Sequence, residues 1–244
     1  MLGIGLAPIF TPHTSVLEAF PFKTVKEKKL CEQKRRCSWQ KGRRSTASDT
    51  QRSCHVPGVK PAISVVVGTR IAIMMYLSEK FQTPDHWYPT DIQKRARVNE
   101  YLSWQHTAVR MHGTRVFWLR LMIPKMLGEE VPKDKMAAAL EDLDGSLQLI
   151  EEKFLQDRPF IAGDDISLAD LVAIVEIMQP VGSGLDVFEK RPKLSGWRNR
   201  VRAAIGPELF DEAHQIILSA QEMVKSMDGS TLQPFKPKIL RLFL

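Results

Sequence analysis

Cysteine is scarce and confined. The 244 residues hold three, Cys31, Cys37 and Cys54, all in the first quarter of the chain. No C-x2–4-C pair opens a structural zinc site, and His55 beside Cys54 does not supply the missing spacing, so no metal is expected. Tyrosine is as sparse, and none precedes Tyr76. No apolar run reaches the roughly 18 residues that a membrane-spanning helix needs, which removes the membrane as a partner. The opening "MLGIGLAPIFTPHTSVLEAF" lacks the basic segment and small-residue cleavage site of a secretory signal, so the cytoplasm is the expected location.

Acidic residues are short only in one place. The net charge is +7, but residues 1–60 hold 12 Lys/Arg against 4 Asp/Glu, and the rest hold 23 against 24. The chain joins two compositions near residue 60. The first, with "KTVKEKKLCEQKRRCSWQKGRRSTASDTQRSC", has neither helical nor alternating apolar periodicity. It cannot bury enough apolar surface to offset its ordering entropy, so 1–60 reads as a basic, disordered leader. Its "KRRCSWQKGRR" could neutralise phosphates or serve nuclear import. A solvated tail is the preferred reading, which makes nucleic acid an unexpected partner and the nucleus an alternative address.

From residue 70 the periodicity is helical. "IAIMMYLSEKF" is a short apolar helix that stops before "QTPDHWYPTD" (82–91), and the linker is placed at 83–92. Asp91 is a candidate N-cap for a long helix with Val98, Tyr101, Leu102 and Val109 on one face. Pro124 and Gly128 should break that pattern. Met136, Leu140, Leu143, Leu147, Ile150 and Phe154 alternate steps of four and three, the seam of a bundle. A helix over 167–179 follows, then one from Pro192 with Trp197 and Val201 inward and Gly206 as its stop. The last places Phe210, Ala213, Ile217, Ala220 and Val224 together. The expected fold class is mainly α, a bundle of five or six helices over 93–226 with a tail at 227–244.

One carboxylate sits where it should not. Asp170 lies among Leu168, Ala169, Leu171 and Val172 in "DDISLADLVAIVEIMQP", and a lone buried carboxylate costs several kcal/mol. Ser167 as N-cap and Asp170 at the third helical position form a capping box, with Ile166 and Leu171 as its hydrophobic staple. The helix dipole favours an anion there. Asp170 is therefore given a structural role.

"FIAGDDISLADLVAIVEIMQP" followed by "FEKRPKLSGWRNRV" resembles the C-terminal domain of cytosolic glutathione transferases. "DHWYPTDIQKRARVNEYLSWQHTAVR" and "LFDEAHQIIL" are similar to the theta class in particular. The resemblance runs from about Ile71 to Val224. It implies an all-helical C-terminal domain, a thioredoxin-like N-terminal domain of which 61–82 would be the last helix, and a homodimer. It also implies a reaction in which the thiol of glutathione, a co-substrate rather than a cofactor, is conjugated to small hydrophobic electrophiles.

Upstream of residue 71 the chain departs from that pattern. Theta enzymes stabilise the glutathione thiolate with a serine in a "SQPCR"-like turn, and no such turn is present. Ser15 is the nearest candidate, so the catalytic group is unassigned. Where the family carries a Glu-Ser pair for the γ-glutamyl end of glutathione, Thr69 and Arg70 stand. On the helical side the resemblance makes Arg110 and Thr107 glutathione-binding residues, because a cation suits two carboxylates and a developing thiolate. It places Trp118, Met122 and Met178 in the hydrophobic substrate pocket, although such residues at helical spacing also suit a core. The alternative to a transferase is a non-catalytic helical domain that binds ligands or a partner.

Overall fold

A computed structural model describes residues 70–243. The leader 1–60, Ser15 and the Thr69 half of the Thr69-Arg70 pair lie outside these residues. Among the described residues there is no strand, and the elements are α1 (Arg70–Lys80), α2 (Ile92–Trp104), α3 (Val109–Phe117), α4 (Ile123–Leu127), α5 (Lys133–Leu149), α6 (Leu168–Gly182), α7 (Pro192–Ile205), α8 (Pro207–Leu218), α9 (Ala220–Ser226) and α10 (Lys236–Phe243). The all-α architecture is the one the apolar periodicity requires.

α6 is the axis. Twelve of its fifteen residues are buried, because α2, α3, α7 and α8 pack around it. An apolar sequence on every side is what such a helix needs. α3 lies against it closely: a Cβ on Gly113 would stand 3.4 Å from the Glu176 carbonyl oxygen and from Pro180 Cδ. α5 packs on the other side of α3, burying Leu143 and Leu147, and Ile150 and Phe154 follow in the π-helical turn that ends it (Ile150–Leu155). Asp91 caps α2, its carboxylate accepting from Lys94 N at 2.8 Å.

Three expectations change. The last expected helix, through Phe210 and Val224, divides at Ser219 into α8 and α9. The long helix from Asp91 divides at residues 105–108. Gln105 Nε2 donates to the Leu102 carbonyl, and Thr107 Oγ1 donates to the Trp104 carbonyl. These side chains compete for backbone acceptors at the helix end. Ala108, at φ −113° and ψ −105°, leaves the helical region, and Arg110 N reaches back to Gln105 O at 3.1 Å. Pro124, in contrast, breaks nothing. The π-helical turn Trp118–Met122 precedes it, and the proline sits in the first turn of α4, where a missing N–H is tolerated. Gly128, in the left-handed region at φ 77°, is the stop.

Beyond α9 the chain folds back. Leu232 and Ile239 are buried, and Gln233 Nε2 donates to the Met126 carbonyl of α4 at 3.1 Å.

Candidate functional site

The entry to α6 is built around Asp170. Oδ2 accepts from Ser167 N at 2.9 Å and Ser167 Oγ at 3.1 Å. Oδ1 accepts from Ile161 N at 2.9 Å and Trp197 Nε1 at 2.8 Å. Ser167 Oγ in turn accepts from Ala169 N, completing the reciprocal capping box. Burial pushes the Asp170 carboxyl up from its ordinary range, and the donors from Ile161, Trp197 and Ser167 pull it back. The carboxylate thus ties the start of α6 to the preceding loop and to α7. The Trp197 and Ile161 donors are not legible locally, because they arrive from 27 and 9 residues away.

Two turns further along α6 lies the second buried carboxylate, Glu176, whose side chain is 0% exposed. Arg70, the first residue of α1, ion-pairs to Glu176 Oε1 through Nη2. Arg110 of α3 brings Nη1 to 3.7 Å from the same oxygen. Gln179 Nε2 donates to Oε2 at 3.2 Å, and Thr114 Oγ1 donates to Gln179 Oε1 at 2.9 Å. Burial lowers the Arg70 guanidinium from its ordinary value; Glu176 raises it and Arg110 lowers it further. Tyr101, fully buried, has a hydroxyl with no hydrogen-bond partner among the described residues. Burial, reinforced by the Glu176 and Asp170 carboxylates, pushes that phenol well up, so it stays protonated.

The glutathione-binding and pocket residues of the sequence reading fall in four places. Arg110 belongs to the Glu176 cluster. Thr107 is exposed in the turn between α2 and α3, its hydroxyl turned to the Trp104 carbonyl. Met122 and Met178 are buried in the core, 1% and 4% exposed. Trp118 is half-buried and stacks on Phe243 of α10, ring centroids 5.4 Å apart and planes 11° from parallel. The sequence reading sets Arg70 only against the family's Glu-Ser pair and does not single out Glu176, whose signal is a charged residue in the middle of an otherwise apolar helix.

Comparison with known proteins fits this architecture. The family model "Glutathione S-transferase, C-terminal domain" matches residues 109–204. Mouse glutathione S-transferase theta-3 is 49% identical over 181 residues, covering 74% of this chain and 75% of that one. Human glutathione S-transferase theta-1 is 51% identical over 172 residues, covering 70% and 71%. Among solved structures, human glutathione-S-transferase T1-1 in its apo form aligns with a TM-score of 0.66 at 48% identity, over 73% of this chain and 74% of that one. Human glutathione transferase theta-2 in complex with glutathione and an unknown ligand aligns at 0.64 and 44%, over 72% and 73%. With about half of the aligned residues identical over 70% or more of its length, the chain belongs to the glutathione S-transferase family, in its theta class.

Proposed function

We propose that this protein acts as a theta-class glutathione transferase, joining the sulfur of glutathione to small hydrophobic electrophiles. The observation that carries the reading is Arg110: a guanidinium on the bundle's central helix pair, 40% exposed, with a distant ion pair to Glu176 as its one salt bridge among the described residues. In the reaction the thiolate sulfur forms a bond to the electrophilic carbon, and the leaving group departs with its electron pair. A fixed cation beside the reacting centre lowers the cost of the thiolate and binds a glutathione carboxylate. Close packing at Gly113 and the Glu176 carboxylate hold Arg110 in place, so little reorganisation accompanies binding. Trp118, stacked beneath Phe243, supplies an aromatic wall for the apolar electrophile, with α10 as its cover.

A homodimer in the cytoplasm accompanies this reading; family membership supports the dimer, and no described helix is long and apolar enough to cross a membrane. Calorimetric titration of the full chain with glutathione tests the function. Binding at millimolar concentration or tighter is expected, weakened about tenfold by Arg110→Gln through loss of one charge-assisted hydrogen bond. A helical chain that takes up no glutathione would overturn the proposal.

A further inference from the structure

Where the π-helical turn Trp118–Met122 meets α4 and α9 lies a cleft of about 360 Å³, lined by Arg120, Leu121, Lys125, Gln221, Val224 and Lys225. It shares no residue with the Glu176 cluster or with the Trp118–Phe243 stack. Arg120 Nε donates to the Ser183 carbonyl at 3.2 Å and Nη2 to the Gly184 carbonyl at 3.3 Å. Lys125 Nζ donates to the Lys225 carbonyl at 3.0 Å. The two cations thus cap the C-termini of α6 and α9, which stabilises both helices. A carbonyl, however, accepts a hydrogen bond without cancelling a charge. Among the described residues neither Arg120 nor Lys125 forms an ion pair. Lys225 pairs with Glu222 at 2.7 Å, but the two side chains are 71% and 75% exposed, and so exposed a pair is worth little. Asp228, the next carboxylate, accepts from Ser230 N at 3.0 Å and feels Lys125 only as a minor charge. The floor of the cleft is apolar, with Val224 buried and Leu121 half-buried. Its wall is set by close packing: Gly184, at φ 81°, lets the Gln221 amide lie against the chain end of α6, where a Cβ would stand 3.0 Å from Gln221 Nε2.

We propose that this cleft binds a phosphate monoester, a tetrahedral dianion carried on an apolar carbon framework. Three cations reach it from separate elements: Arg120 from the π-helical turn, Lys125 from α4 and Lys225 from α9. Such an arrangement surrounds a tetrahedral group better than a planar one. Arg120 Nη1 has no partner among the described residues, and it supplies N–H donors to the phosphate oxygens. The lysines act as point charges, and Lys225 exchanges its solvated contact with Glu222 for the ligand. The organic part of the ester lies on Leu121 and Val224, which removes apolar surface from water.

The test is calorimetric titration of the full chain with phenyl phosphate and, separately, with inorganic phosphate, at constant ionic strength in chloride, with helicity checked for every variant. Glutathione is absent from the assay and the cleft holds none of its proposed contacts, so the transferase reading and the cleft stand or fall separately. The wild-type chain is expected to bind phenyl phosphate at millimolar concentration or tighter. Inorganic phosphate should bind more weakly, because only the ester meets Leu121 and Val224. Arg120→Gln and Lys125→Gln each keep a side-chain donor for the capped carbonyl, and each should weaken phenyl phosphate binding about tenfold. Lys190→Gln makes the same change of charge on an exposed residue outside the cleft, and should leave binding as it is. Absence of binding by the wild type, or equal binding by the wild type and either folded cleft variant, overturns the site. A loss in Lys190→Gln as large as that in the cleft variants reports attraction to net charge alone and also overturns it. Equal binding of the two phosphates overturns the role of the apolar floor.

Discussion

Replacing Asp170 by asparagine separates the charge and hydrogen bonds of this carboxylate from its volume. Each Asp170 oxygen accepts two bonds: Oδ1 from Ile161 N and Trp197 Nε1, Oδ2 from Ser167 N and Ser167 Oγ. Asparagine keeps one acceptor oxygen and turns an NH2 toward the other pair of partners. The amide is expected to place its NH2 on the Ser167 side, where Ser167 Oγ can rotate to accept and only the Ser167 N–H is stranded. A stranded buried donor costs roughly 1–3 kcal/mol, and the bonds that remain lose their charge assistance. Removing the desolvation cost of a buried anion returns part of this, as the raised Asp170 carboxyl indicates. The expected loss is about 1–3 kcal/mol. Ser167→Ala deletes only the hydroxyl, leaving Ser167 N on Oδ2, and should lose about 0.5–2 kcal/mol, the usual worth of a helix cap. Urea denaturation followed by far-ultraviolet circular dichroism measures both. An Asp170→Asn loss below about 1 kcal/mol, or one smaller than that of Ser167→Ala, would refute the claim that the four-donor network organises α6.

Two other perturbations test the packing. His214 is 4% exposed on α8, with Nδ1 on the Phe210 carbonyl at 2.7 Å and Nε2 without a partner among the described residues. Burial is the main cause that lowers its pKa, so the folded state binds the proton less well than the unfolded chain. Stability is then complete above the unfolded value of about 6.5 and is lost as pH falls below it. His214→Leu should remove that acid-side decline below about pH 6.5, measured as Tm against pH. Gly182 marks the crossing of α6 and α8: an added Cβ would stand 2.9 Å from Ile217 Cγ1 and closer still to the Ile217 carbonyl. Gly182→Ala should destabilise by about 1–3 kcal/mol. Gly113→Ala, whose Cβ would meet its neighbours at 3.4 Å, should be far milder by the same denaturation measurement, since a gain of up to about 1 kcal/mol in helix propensity opposes the tighter contact.

The candidate site was only half legible. Arg110 and Thr107 were named from the theta-class resemblance, not from their spacing, and the structure places only Arg110 in the charged cluster. Glu176 escapes the linear reading, in which Arg70 is only a departure from the family's Glu-Ser pair. Read across the fold, it has a counter-ion 106 residues away. Met122 and Met178 show the converse limit, because methionine at helical spacing suits a pocket wall and a core equally well.

By itself the sequence determined much of what depends on near neighbours: the helical class from 3.6-residue apolar periodicity, the Ser167–Asp170 box from a three-residue spacing, and the starts and stops at Asp91, Pro192, Gly128 and Gly206. These interactions close within one helical turn, so their partners are visible side by side. The break at Gln105–Ala108 and the passage of the helix through Pro124 were decided by competition for backbone hydrogen bonds, which a linear pattern does not weigh. The convergence of Arg70 and Arg110 on Glu176, and of Trp197 and Ile161 on Asp170, was decided by tertiary structure alone. Buried charge has to find a partner wherever the packing of α1, α3, α6 and α7 brings one, and that choice is written in no local stretch of the chain.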